Sequence, residues 1–143
     1  MPHDKVGVIG SRSITHKEFV WACMEEEASH ASVILAGGAK GVDRLAEAYA
    51  EEKDIPFVCF KPYFLLDPDA PYSVRHYFTR NKQIIDNADK IIAIYDGDSP
   101  GTKWGIAYAR KRGKPITVFN TKEIIYDQAD QEDQDHQAPE AYP

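Results

Sequence analysis

A chain of 143 residues, 43% of them hydrophobic and two of them cysteine, is long enough for one domain that buries its own core without disulfides or a structural metal. Its formal charge of -6 is uneven: residues 120–143 hold seven acidic side chains against Lys122, so the body before them is neutral and lacks the positive footprint of a tight duplex binder. No run of 18 apolar residues suggests a membrane span and no apolar signal region follows Met1, so a cytoplasmic protein is expected.

Lys5 to Ile9 (KVGVI) is a short apolar run closed by Gly10-Ser11, the pattern of a buried strand. Thr15 and Glu18 have the spacing of a capping box, and Phe19, Val20, Cys23 and Met24 recur at helical spacing, so a first helix is expected to start at Thr15. Ser32 to Ala36 (SVILA) reads as a second strand. After Gly37-Gly38-Ala39-Lys40-Gly41, the residues Val42, Leu45, Ala46, Tyr49 and Ala50 fall on one helical stripe. Pro56 to Phe60 is a third strand, followed by a long loop over 61–73 that contains three prolines.

A third helix from Val74 carries Tyr77, Ile84, Ile85 and Ala88 on one stripe, and Lys90 to Tyr95 (KIIAIY) is a fourth buried strand. The turn from Asp96 to Thr102 leads into a fourth long helix that ends at Arg110, Lys111 and Arg112 with Gly113 as a cap. Pro115 to Phe119 closes the sheet. Cys23 and Cys59 fall on a helix face and a strand and are read as reduced core residues. The poorly apolar, acidic stretch 120–143 is read as a disordered tail.

Continuous Val/Ile runs alternating with helices predict a three-layer α/β sandwich, a Rossmann-like fold over residues 1–119 with a five-stranded parallel sheet. Ligands of such sheets settle at the carboxyl ends of the strands where strand order reverses. The loops after the first, second and fourth strands hold the glycines and are where chemistry is sought. Gly10-Ser11-Arg12-Ser13 offers close backbone approach, a hydroxyl and a guanidinium, or is a plain strand-to-helix turn. Gly37, Gly38 and Gly41 precede a helix whose first amides and dipole suit an anion, although neither a GxGxxG nor a P-loop pattern is present. Asp43, in the first turn of that helix, stabilises the dipole or accepts ribose hydroxyls. Ser99, Gly101 and Thr102 repeat the arrangement after the fourth strand.

Asn81 lies on a buried stripe, where an unpaired amide costs about 1–3 kcal/mol, so a partner is expected for it. Its neighbour Arg80 either reaches the strand ends or stays a surface cation. Tyr63, Phe64, Tyr72, Tyr77 and Phe78 stack on a base or belong to the core or an interface. The five histidines show no HxH or HxxxH spacing and no GxSxG elbow occurs, so no metal site and no hydrolytic serine are expected. No cofactor is required by this reading, and magnesium enters only with a phosphate ligand.

Taken together, GSR after the first strand, AGGAKGVDRLA after the second, TRN on the third helix and SPGT after the fourth strand resemble the SLOG superfamily. That superfamily unites the DNA-processing protein A (DprA/Smf) proteins, the LONELY GUY phosphoribohydrolases and small YspA-like and YpsA-like proteins, and the closest look is to the small branch. The resemblance implies a nucleotide-type ligand held by Gly10, Ser11, Arg12, Gly37, Gly38, Gly41, Asp43, Arg80, Asn81, Gly101 and Thr102, and a homo-dimeric assembly. It also implies a test of activity. The phosphoribohydrolases place a catalytic glutamate three residues after the threonine of their glycine motif, where this chain has Gly105.

The expected function is therefore binding of a nucleotide or nucleotide derivative, as a sensor or sequestering protein. Its enzymatic alternative is N-glycosidic hydrolysis with Asp43 or Arg80 as catalytic candidates and Asp96 or Asp98 as further carboxylates. Single-stranded DNA binding ranks below both because the body is neutral. An adaptor whose aromatic loop forms an interface is a third class.

Overall fold

The structure, a computed structural model, describes residues 4–67 and 69–122. In chain order the elements are β1 (Lys5–Gly10), α1 (Lys17–Ala28), β2 (Val33–Gly37), α2 (Val42–Glu52), β3 (Phe57–Phe60), α3 (Tyr63–Leu66), α4 (Val74–Asn87), β4 (Lys90–Tyr95), α5 (Pro100–Lys111) and β5 (Ile116–Asn120). The five strands form one all-parallel sheet in the order β3-β2-β1-β4-β5. Since β1 is paired with β2 on one side and β4 on the other, chain order reverses at its carboxyl end, which opens a crevice there.

Period-two alternation explains the two cores. Val6, Val8, Ile34, Ala36, Ile92 and Ile94 point to one face, where Val20, Cys23 and Met24 of α1 and Ala46, Tyr49 and Ala50 of α2 cover them. Ile9, Leu35, Ile91 and Ala93 point to the other, under Ile84, Ile85 and Ala88 of α4 and Ile106 and Ala109 of α5. Each fully buried Ile or Val stabilises the fold by about 1.5–3 kcal/mol relative to leaving it in water. Both faces of the central strands are dry, which is why their sequences are apolar throughout.

Several local expectations are corrected. Helix α1 is capped by His16, whose Nδ1 accepts the Phe19 N–H at 3.3 Å; with the helix starting at Lys17, Thr15 stands one residue outside cap position. The long loop contains the short helix α3, and its Tyr63 Oη donates to Asp67 at 2.9 Å. Cys23 is buried as expected, whereas Cys59 is exposed because β3 is an edge strand, where Val58 is 44% exposed. β5 runs on to Asn120, one residue past the expected domain end, and Lys122 Nζ meets Asp98 at 3.1 Å. The rest of the expected tail, residues 123–143, lies outside the described residues. Among the described residues no helix is long and apolar enough to cross a membrane.

Candidate functional site

The carboxyl ends of β1 and β4 open into a cleft of about 550 Å³. From the β1 side come Gly10, Ser11, Arg12 and Ser13, and from the turn before α2 come Ala39, Lys40 and Asp43. Arg80 and Asn81 enter from α4, with Ser99, Gly101 and Thr102 from the start of α5. An aromatic side is supplied by Tyr72, Tyr77 and Phe78. Gly37, Gly38 and Gly41, expected as ligand contacts, stand outside the lining and do another job.

That job is close packing. Gly41 has φ +82°, and a Cβ there would stand 2.5 and 2.6 Å from the carbonyl oxygens of Arg12 and Ser11. A Cβ on Gly37 would overlap the Arg80 guanidinium and come within 2.7 Å of Asp43 Oδ2. These glycines let the β1–α1 loop and two charged side chains lie against the turn. Two amides of that turn are engaged inside the protein: Val42 N–H donates to Ser11 O at 3.3 Å, and Ala39 N–H donates to Asp43 Oδ2 at 3.2 Å. The Asp43 carboxylate thus lies against the turn before α2.

Asp43 is only 5% exposed, and burial is the largest influence on it, raising its pKa from 3.8 to about 6 against the opposing pull of Arg80, the Ala39 amide and Arg12. Arg80, 6% exposed, is likewise dominated by burial, which lowers its pKa, while Asp43 acts to raise it. Its position is fixed by donation from Nη1 to Phe60 O at 3.2 Å and from Nε to Asn81 Oδ1 at 2.9 Å. Asn81 thereby finds the partner its burial demands, and its Nδ2 donates on to Gly101 O at 3.4 Å, tying α4 to the start of α5. Arg80 is a buried cation of the strand ends, and the surface reading of it is set aside.

The α5 end differs. Ser99 is its N-cap residue, yet its side chain makes no cap bond. Instead Ser99 Oγ lies 2.6 Å from Ser11 Oγ and 3.0 Å from Asp96 Oδ1. Ser11 is 1% exposed, and its hydroxyl also accepts the Asp96 amide at 3.0 Å, so it acts as a strut between the β1 and β4 loops. Asp96 is the hub of this cluster. Burial acts to raise its pKa, but donation from Ser13 Oγ, the Asp98 and Ser99 amides and Ser99 Oγ outweighs it and holds the carboxylate below its usual range. With the cap hydroxyl turned away, the amides of Gly101 and Thr102 have no partner among the described residues, and the space beside Gly101 is empty to 4 Å. Two N–H groups without a partner among the described residues, at the positive end of a three-turn helix, are the kind of group that can receive an anion.

Facing them, Arg12 is exposed and its guanidinium lies over the Tyr77 ring, 4.8 Å from the centroid. Phe78 is stacked on Trp104 at 5.2 Å and Trp104 on Tyr108 at 5.1 Å, which stiffens the aromatic side. Gly105 is buried away from the cleft: a Cβ there would stand 2.7 Å from Ile9 Cδ1, so α5 packs on the sheet where the phosphoribohydrolases carry their glutamate. Among the described residues no group of three or more His, Cys, Asp or Glu side chains is arranged to hold a metal. Sequence reasoning missed Lys40 and Ser13 as cleft residues. The signal was there in part, since Lys40 is the charged residue inside the glycine turn.

Three comparisons bear on this arrangement. Residues 5–65 match the family model described as YAcAr: YspA, cpYpsA-related SLOG family. No curated protein matches the chain. Among solved structures, DNA processing protein A from Streptococcus pneumoniae superposes with a TM-score of 0.69 at 19% identity, over 81% of this chain and 50% of that one. DNA processing protein A from Helicobacter pylori, which has a single-stranded DNA binding mode, gives 0.65 at 23% identity over 89% and 73%. The molybdenum cofactor binding protein of the phototrophic bacterium Rippkaea orientalis gives 0.62 at 19% identity over 90% and 85%. At these identities the likeness is one of fold, and the chain spans half the length of the pneumococcal protein. The family match covers β1 to α3, and over the whole sheet the chain is similar to these structures in its Rossmann-like architecture.

Proposed function

We propose that the chain binds a nucleotide or nucleotide-derived small molecule in the cleft, as a sensor or sequestering protein. The observation that carries this reading is the open start of α5, where the cap hydroxyl is diverted and the Gly101 and Thr102 amides face the cleft. A phosphate seated there is neutralised by Arg12 and Lys40. Asp43 is the acceptor for sugar hydroxyls, and magnesium, where it takes part, arrives with the phosphates. The dimer that the family resemblance implies belongs to the same proposal and is read by light scattering.

One observation favours a second reading. A carboxyl with a pKa of about 6 inside a ligand cleft is suited to proton transfer near neutral pH, so hydrolysis of the N-glycosidic bond by Asp43 is the enzymatic rival. The likeness to the DNA-processing proteins weakens the expectation that nucleic acid is excluded and makes single-stranded DNA a third ligand to test. Calorimetric titration with ribose 5-phosphate, nucleoside monophosphates and dinucleotides, alongside anisotropy with a fluorescent single strand, separates these readings. Saturable binding of the small ligands that weakens in Arg12→Ala is the expected result. Release of free base on chromatography shifts the assignment to the hydrolase, and binding of the strand alone overturns the small-molecule reading.

A further inference from the structure

Resting on the nucleotide-binding reading, we infer that Tyr77 is the platform for the ligand's flat ring and that Arg12 vacates it on binding, moving from the tyrosine face to the phosphate. Arg12 comes from the loop after β1 and Tyr77 from α4, and both line the cleft. The guanidinium centre lies 4.8 Å from the ring centroid, while no hydrogen-bond acceptor engages it among the described residues. A cation resting on the face of a half-buried tyrosine, without a hydrogen-bond acceptor, is modestly held. The five N–H donors of a guanidinium match a phosphate bidentately, so an anion at the α5 start competes for Arg12 with a stronger, directional interaction.

The second cation beside Tyr77 behaves differently. Arg80 lies 5.7 Å from the same centroid but is buried and fixed by Phe60 O and Asn81 Oδ1, so it stays as the floor. Tyr77 is held from the side by Tyr72, with centroids 6.3 Å apart at 66°, and Tyr72 is itself 68% exposed at the rim. On the same helix, Tyr77 precedes Arg80 by three residues and Asn81 by four, which places the platform one turn from the groups that grip the strand ends. Departure of Arg12 bares the face it covers, in the same cleft as the α5 start. The ligand class is therefore a base-bearing sugar phosphate, distinguished from a bare sugar phosphate by this one face.

The test compares ribose 5-phosphate with adenosine and uridine monophosphates by calorimetry in the wild-type chain and in Tyr77→Leu, Tyr77→Phe and Arg12→Ala. The wild-type protein is expected to prefer the nucleotides by about tenfold or more, as stacking of one base on an aromatic ring allows. Tyr77→Leu is expected to erase that preference while keeping ribose 5-phosphate affinity within about twofold, Tyr77→Phe to retain it, and Arg12→Ala to weaken all three ligands alike. Nuclear Overhauser contacts between base protons and the Tyr77 ring in the wild-type chain give a reading that needs no variant. An unchanged preference in Tyr77→Leu, or an absent contact in the saturated complex, overturns the platform and leaves the phosphate site standing. Failure of ribose 5-phosphate and both nucleotides to bind overturns the proposed function and the platform with it.

Discussion

Two of the helix starts at the carboxyl edge of this sheet, those of α2 and α5, are occupied differently. The α2 start follows three glycines and advertises itself as the anion site, yet Val42 N–H is taken by Ser11 O, and the Asp43 carboxylate lies against the turn. The α5 start lies in a plainer Ser-Pro-Gly-Thr sequence, and its Gly101 and Thr102 amides have no partner among the described residues, with Ser99 turned toward Ser11 and Asp96. The difference teaches that glycine in a phosphate-like turn signals close approach without saying what approaches. At α2 the visitors are the protein's own carbonyls, guanidinium and carboxylate.

The contrast breaks most forcefully at the glycines. Gly41→Ala puts a Cβ onto two carbonyl oxygens in a left-handed backbone conformation, and a loss of about 3 kcal/mol or more is expected in urea unfolding. Gly101→Ala, with empty space to fill, is expected to stay within about 0.5 kcal/mol of wild type. Equal losses at the two positions would mean that the α2 turn is no more crowded than the α5 start.

The charge beside the α2 turn has a pH signature of comparable size. Asp43 holds its proton up to about 6 in the fold against 3.8 ordinarily, so the folded state takes up a proton first. Its contribution to stability grows as pH falls from about 6 toward 3.8, by up to about 3 kcal/mol, and is lost as pH rises through 6. Asp96 works in the opposite sense, since its lowered pKa gives stability that is lost on acidification. The difference between wild type and Asp43→Asn across pH 7 to 4 isolates the first effect; parallel curves would remove the claim that a buried carboxylate lies against the turn before α2.

A third change acts on binding alone. Gly101→Asp adds a negative charge at the α5 start, and affinity for a phosphate ligand is expected to fall about a hundredfold while the unfolding midpoint does not fall. A smaller loss than at Gly41 is expected at Ser99→Ala, which removes a hydroxyl already diverted from the cap. A stability loss of about 1 kcal/mol without a change in ligand affinity is the outcome that fits a strut.

The fold was legible because Val/Ile runs and helical stripes report burial directly, and β1, α2, α4 and β4 follow from them within a residue or two. The site was legible in its residues more than in its roles. Ser11 and Thr102 were found as polar groups near glycines and Asn81 as an amide on a buried helical stripe, but whether a buried hydroxyl meets a ligand or another loop depends on contacts such as the 88-residue span from Ser11 to Ser99. Tertiary pairing of that kind leaves no local pattern. The edge position of β3, which exposes Cys59, was hidden for the same reason: strand order is a property of the whole sheet. Gly105 is the converse case, a residue read as a missing catalytic carboxylate that the structure explains as a contact with Ile9.

The most direct test of the account is an amide-resolved NMR titration of the full chain with ribose 5-phosphate. The account predicts that the Gly101 and Thr102 N–H resonances move downfield in saturable fashion while those of Ala39 and Val42 stay in place. Movement of Ala39 and Val42 with Gly101 and Thr102 unmoved would contradict it.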